Sequence, residues 1–186
     1  GTSHAALHLK DAAIRRGLRV NEEPAQADVI FISEDTPTDR SGKRNLEPIR
    51  ELVYHASGFG KQLVLTSQVP PGFTRSLNLP SIYHQAETLR IKDAEARAYA
   101  PEYIAVGGPE GINRAYAEYL LAFHCPVLRM SWEDAEMTKI AVNMMLAAQV
   151  DYANNLSHAA TRVGADWREV VKALKLDSRI GPHAYL

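Results

Sequence analysis

The chain has 186 residues, a formal net charge of −1 and an isoelectric point near 6.7. That length suits one domain, or one and a half, with a real core, and the charge balance favours neither a nucleic acid nor an anionic membrane as partner. The single Cys125 rules out an intrachain disulfide; with no run of 18 apolar residues and no signal-peptide pattern, the expectation is a cytoplasmic protein.

In chain order, the opening GTSH is left outside the fold argument, and residues 5–16 (AALHLKDAAIRR) suit a short helix. His4 and His8 stand at i,i+4, a metal-compatible spacing, but no third ligand is near in sequence, so they read as a surface face and no metal site is expected. Ala27 to Ser33 is an unbroken apolar run of the kind that fills a strand buried on both faces of a parallel sheet. A loop rich in Thr, Pro, Asp and Gly follows from Glu34 to Arg44. Leu46, Ile49, Leu52, Val53 and Ala56 recur at helical spacing, with Gly58 as the stop. Gln62 to Val69 is a second buried strand, cut off by Pro70-Pro71-Gly72. Ser81 to His84 is a candidate short strand, residues 86–98 are charged and mixed, and Tyr103 to Val106 is a third strand closed by Gly107-Gly108. Ile112, Tyr116, Tyr119, Leu120 and Phe123 line a helix, and Pro126 to Arg129 is the last strand.

The longest regular stretch runs from Ser131 to Gly164. Ser131 and Asp134 form a capping box, Gly164 is the left-handed stop, and neither Pro nor Gly interrupts the run. Lys139, Asn143, Ala147, Val150 and Asn154 share one stripe; Ile140, Met144, Ala148 and Tyr152 form a second, more apolar one. A helix apolar on more than one side needs cover on more than one side. Spacing leaves two readings for Lys139 and Asn143, a snorkelling lysine with a satisfied core asparagine or a polar functional pair. After Gly164, Asp166 and Glu169 read as another capping box. Trp167, Val170, Val171 and Leu174 then give a short amphipathic helix.

Strands alternating with helices predict an α/β fold: a partial Rossmann-like parallel sheet over residues 5–130, then a long central helix and a small helical segment over 131–186. Ligands in such sheets bind beyond the carboxyl ends of the strands, where the loops 34–44, 67–72 and the stretch after His84 lie.

Six segments, in order, resemble the nucleotide-sugar 6-dehydrogenase family (UDP-glucose and GDP-mannose dehydrogenases). ADVIFISEDTPTDRSGKRNLEPI resembles the family's strand, its V-P-T-P loop and the following D-x-x-G-x-x-D-L. LVLTSQVPPGFT resembles S-T-V-P-x-G-T. Glu87-Thr88-Leu89-Arg90 and then Ala100 to Gly107 resemble E-F-L-R-E and N-P-D-R-I-V-I-G. AEMTKIAVNMMLAAQVDYANN resembles the A-E-x-x-K-x-x-x-N helix that carries the dimer contact, and Leu176 to Gly181 resembles the D-x-R-I-G segment. The resemblance implies an NAD-dependent, two-step oxidation of a sugar 6-hydroxyl to a carboxylate, with a Cys thiolate holding the aldehyde as a thiohemiacetal. It makes Lys139 and Asn143 the pair that steadies the oxyanion. Glu87, Leu89 and Arg90 become the nucleotide-sugar contacts, and Thr36, Pro37 and Gln68 the cofactor side. It also implies a homodimer through the 131–164 helix.

The chain departs from that pattern. It contains no G-x-G-x-x-G, the turn that holds a pyrophosphate at a helix N-terminus. The last acid of E-F-L-R-E is Ile91, the Thr of S-T-V-P is Gln68, and the first Pro of V-P-T-P is Asp35. Leu186 precedes the position of the nucleophile, and Cys125, in a strand elsewhere, reads as a buried structural thiol. The expectation is a fragment truncated at both ends, with doubtful NAD binding and no activity by itself. The alternative is a non-catalytic dimerisation or ligand-binding module.

Overall fold

Short apolar runs become strands because each is fenced by residues that leave the ladder. The computed structural model describes residues 3–186, and the chain forms two compact units, Gly1–Lys139 and Ile140–Leu186, divided inside the long helix.

In the first unit α1 (His4–Arg15) leads through a 3-10 turn to β1 (Val29–Ile32). Then follow α2 (Glu47–Ser57), β2 (Gln62–Leu65), α3 (Phe73–Ser76), β3 (Ile82–Gln85), α4 (Ala94–Tyr99), β4 (Ile104–Gly107), α5 (Arg114–Leu121), β5 (Val127–Met130) and the start of α6 (Trp132–Arg162). Strand order across the sheet is the order along the chain, β1 to β5. Period-two alternation sends Leu63 and Leu65 of β2 to one face, where they pack with Ile49, Val53 and Phe73. Val64 points the other way, into a core with Ala12, Tyr83, Tyr116 and Phe123. The sheet is thus covered on both faces. Of the opening residues left out of the sequence argument, Gly1 and Thr2 lie outside the described residues; Ser3 is buried, caps α1 by accepting from Ala6 N–H, and donates its hydroxyl to Ser33 O at 3.0 Å.

Two expectations need correction. The sheet is not parallel throughout: β3 and β4 run antiparallel, with His84 opposite Gly107 and Gln85 opposite Val106. After β3 the chain does not cross to the other end of the sheet. It is held at the carboxyl rim by α4, which packs on α1 through the Arg15–Glu95 ion pair at 2.7 Å and through Arg16 donating to Tyr99 O. The chain therefore re-enters β4 from the end at which it left. The second correction concerns β1, expected to be buried on both faces. Only Ile32 is buried, because β1 is an edge, whereas every residue of β2, β3 and β4 is buried. α2 ends as expected, with Gly58 as its C-cap; the positive φ falls two residues later, at Gly60, +64°.

α6 starts as its sequence dictates: Ser131 Oγ accepts from Asp134 N–H, and Ser131 N–H donates to Asp134 Oδ2. Its first two turns lie against the sheet. A methyl group at Gly107 would stand 2.5 Å from Ser131 O and 2.7 Å from the Trp132 Cα, so β4 ends on glycine because the helix backbone fills that space. Trp132 Nε1 donates to Ile82 O at 3.0 Å.

In the second unit α6 runs on to Arg162 and stops at Gly164, whose φ is +76°, with Ala165 N–H donating back to Ala160 O. α7 (Trp167–Leu176) is capped by Asp166, which accepts from Arg168 N–H; Glu169 pairs with Lys172 instead of completing a box. The apolar stripe expected to be covered is open: Met144 is 63% and Tyr152 71% exposed. No helix among the described residues is long and apolar enough to cross a membrane.

Two outcomes follow from this packing. Gly107→Ala should lose about 1–3 kcal/mol in urea unfolding, since the obstructing atoms are backbone. His84 is 2% exposed, its Nδ1 has no partner, and burial pushes its pKa down to about 4. The folded state keeps His84 neutral, so the unfolded chain takes up the proton first. Stability present above pH 6.5 should fall by about 3 kcal/mol as pH drops to 4. His84→Leu should flatten that part of the unfolding profile relative to the unsubstituted chain.

Candidate functional site

The carboxyl ends of β1, β2 and β3 present two groups of the expected residues, about two strand spacings apart. The first lies after β3. Glu87 folds back so that its Oε1 accepts from Leu89 N–H, and its other oxygen stands 3.7 Å from the Lys139 ammonium. Lys139 Nζ also donates to Leu89 O at 3.4 Å. Both charged side chains are mostly shielded, Lys139 15% and Glu87 20% exposed. In that setting an ion pair is weakly screened and the ammonium is held in one place.

The Arg90 guanidinium engages Asp93 in the following turn, with Nε to Oδ1 at 3.0 Å. That contact keeps the Asp93 carboxyl below its ordinary pKa, with Arg97 helping. Asn143, one helical turn beyond Lys139, lies in the second unit with an exposed side chain and no hydrogen-bond partner among the described residues. Ile91, where the family pattern has an acid, is 92% exposed. Beneath Glu87 and Leu89 a cavity of about 30 Å³, lined by Thr66, Gln85 and Tyr103 among others, has room for about one water. A larger cleft of about 300 Å³ touches Gln62 and Ser81, at the opposite ends of the strands.

The second group closes the loop after β1. The Thr36 hydroxyl donates to Gln68 O at 2.8 Å, and Arg44 Nη1 donates both to Thr36 Oγ1 at 2.7 Å and to Gln68 O at 3.1 Å. Structure thus joins Thr36 and Gln68, while Pro37 between them is exposed. Arg44, which ties them, carries no sequence signal: it stands in a charged loop among Arg40 and Lys43.

Glu136, the acid of the quoted A-E-x-x-K pattern, has no role assigned to it by the sequence reading. Its carboxylate is buried, and its two oxygens accept from Gly72 N–H at 2.5 Å and Thr74 N–H at 2.7 Å. Burial raises its pKa, and the backbone donors partly offset that rise. Beside it Glu133 meets Arg75 at 2.5 Å, which holds the Glu133 carboxyl at about 2, and the Arg75 guanidinium lies 4.7 Å over the Trp132 ring. A signal for Glu136 did exist: it lies four residues before Ile140, on the apolar stripe, where a carboxylate is out of place unless bonded. Cys125, expected buried, is half-buried, with its thiol pKa raised chiefly by desolvation.

A pyrophosphate cradle is tested by what the rim amides do. At the β2–α3 turn Gly72 has φ +91°, the conformation such turns use, but its N–H is already bonded to Glu136. After β1 the Thr36 hydroxyl is committed to Gln68. These residues do not fit a dinucleotide pyrophosphate.

Residues 133–186 match the central domain of the UDP-glucose/GDP-mannose dehydrogenase family. Over 173 residues the chain is 31% identical to UDP-glucose 6-dehydrogenase TuaD of Bacillus subtilis, covering 83% of this chain and 37% of that protein. It is 28% identical to UDP-glucose 6-dehydrogenase of Caenorhabditis elegans, over 84% of this chain and 38% of the relative. Among solved structures, a UDP-glucose dehydrogenase from Pyrobaculum islandicum superposes with a TM-score of 0.73 at 29% identity, covering 93% of this chain and 45% of that one. A GDP-mannose dehydrogenase from Pseudomonas aeruginosa, 23% identical, shares the fold at a TM-score of 0.72. The chain spans less than half the length of these curated relatives. Matched domain, aligned sequence and shared fold together make the chain similar to part of the UDP-glucose/GDP-mannose dehydrogenases.

Proposed function

We propose that the chain is part of an NAD-dependent nucleotide-sugar 6-dehydrogenase scaffold and that by itself it does not run the reaction. The observation that carries this reading is the Lys139 ammonium, 3.7 Å from Glu87 and 3.4 Å from Leu89 O. It keeps the helix lysine beside the segment that, by resemblance, touches the nucleotide sugar. In the proposed assignment Glu87, Leu89 and Arg90 contact that substrate, and Lys139 with Asn143 holds a developing oxyanion.

Inactivity rests on three features of these residues. Gly72 N–H is spent on Glu136, Thr36 is spent on Gln68, and the sequence has no G-x-G-x-x-G. A solvent-facing alkyl group at Ile91 cannot position water as a carboxylate does. The ~30 Å³ cavity is far below the roughly 300–1,000 Å³ of a small-molecule pocket, so the rim is an open surface for any such ligand. A cytoplasmic setting suits the lone Cys125.

The second reading, a non-catalytic dimerisation module, is favoured by the exposed Met144, Tyr152 and Leu156 of α6. A homodimer through residues 131–164 would cover them.

Mixed with NAD and UDP- or GDP-sugars, the purified chain should give no rise in reduced-nicotinamide absorbance, and NAD titration should release no binding heat. Turnover in the unsubstituted chain would overturn the inactivity reading; turnover that also survives Lys139→Ala would remove that lysine from the oxyanion role. Light scattering at micromolar concentration should report a dimer, shifted to monomer by Tyr152→Glu; a monomer in the unsubstituted chain refutes the α6 interface.

A further inference from the structure

Away from the rim, α1 carries His4 and His8 one turn apart, with His4 exposed and His8 half-buried. Their Nε2 atoms are 3.2 Å apart, with ring centroids at 4.5 Å and ring planes at 68°. Both nitrogens therefore converge on one point beside the helix. In the free protein one ring can donate its Nε2–H to the other. The same spacing is also a chelate bite: at metal–nitrogen distances of about 2.0–2.1 Å it gives a nitrogen–metal–nitrogen angle of roughly 100°, between tetrahedral and square-planar values.

We propose that His4 and His8 form a surface chelate for a late first-row divalent cation, Cu²⁺ or Zn²⁺, bound through the two Nε2 atoms. Binding moves the hydrogen of the donating ring from Nε2 to Nδ1, so no net proton is released. The nearby carboxylates are engaged: Asp11 with Arg15 at 3.5 Å, and Glu22 with Lys10 at 2.9 Å. No group of three or more His, Cys, Asp or Glu ligands exists among the described residues. The protein thus supplies two ligands and water the rest. Imidazole ligands select copper and zinc over magnesium and calcium, which take oxygen donors. The helix holds both rings before the metal arrives, so the second bond forms at high effective concentration. Binding also clips the first two turns of α1, the helix whose cap is tied to Ser33.

The test uses the chain stripped by chelator, then titrated with Cu²⁺ or Zn²⁺ alone. One metal per chain is expected, with affinity falling roughly a hundredfold in each of His4→Ala and His8→Ala. Alanine favours helix, so metal-free circular dichroism should be unchanged. Metal should raise the melting temperature of the unsubstituted chain and of neither variant. In that chain, Zn²⁺ should shift the ring proton resonances of His4 and His8. No binding by the unsubstituted chain, binding that persists in both variants, or shifts centred on His55, His124, His158 or His183, would each overturn the proposal.

Discussion

The Glu136 carboxylate is the constraint on which the first unit turns. A buried carboxylate is costly unless its oxygens are bonded, and here backbone N–H groups bond both. Those donors lie 62 and 64 residues earlier, at the turn into α3, so the interaction sutures two distant parts of the chain. It fixes the start of α6 against β2 and α3, and Lys139 is the next side chain but two along that helix. Glu133 with Arg75, and Trp132 with Ile82 O, hold the same two turns from either side. The position of the Lys139 ammonium beside Glu87 is therefore inherited from Glu136 as much as from Lys139's own contacts.

The same arrangement also sets what the polar groups of the rim are bonded to. An amide in a left-handed turn at a helix start is suited to a phosphate. In this chain the Gly72 amide, at a φ of +91°, faces the internal Glu136 carboxylate, which plays structurally the part an anionic ligand would play. The neighbouring loop after β1 is closed the same way, its Thr36 hydroxyl shared between Arg44 and the Gln68 carbonyl. Both rim loops spend their polar groups on each other and on the fold.

Much of the architecture was legible because it depends on local pattern. Val29–Ile32, Gln62–Leu65 and Ile104–Gly107 are apolar runs between breakers, and the Ser131–Asp134 box and Gly164 bound α6 by backbone chemistry alone. The direction of β4 was not legible, because it is decided by α4 docking on α1 through residues some eighty positions apart. The same holds for Arg44 and Glu136, whose partners are remote in sequence. Lys139, Glu87 and Leu89 were found through resemblance, and spacing alone left Lys139 open. Arg90 was found the same way, while its ion pair with Asp93, three residues on, was not read from the pattern.

β1 has a strand on one side only, and three of its four residues are half-buried apolar groups. It carries no lysine, proline or bulge, the usual devices that stop one ladder from growing onto another. Handling this protein is accordingly a matter of concentration. Crowded molecules can zip together along Val29–Ile32, so the same solution that is clear when dilute would lose material to fibrous precipitate on storage, at a rate rising steeply with protein content.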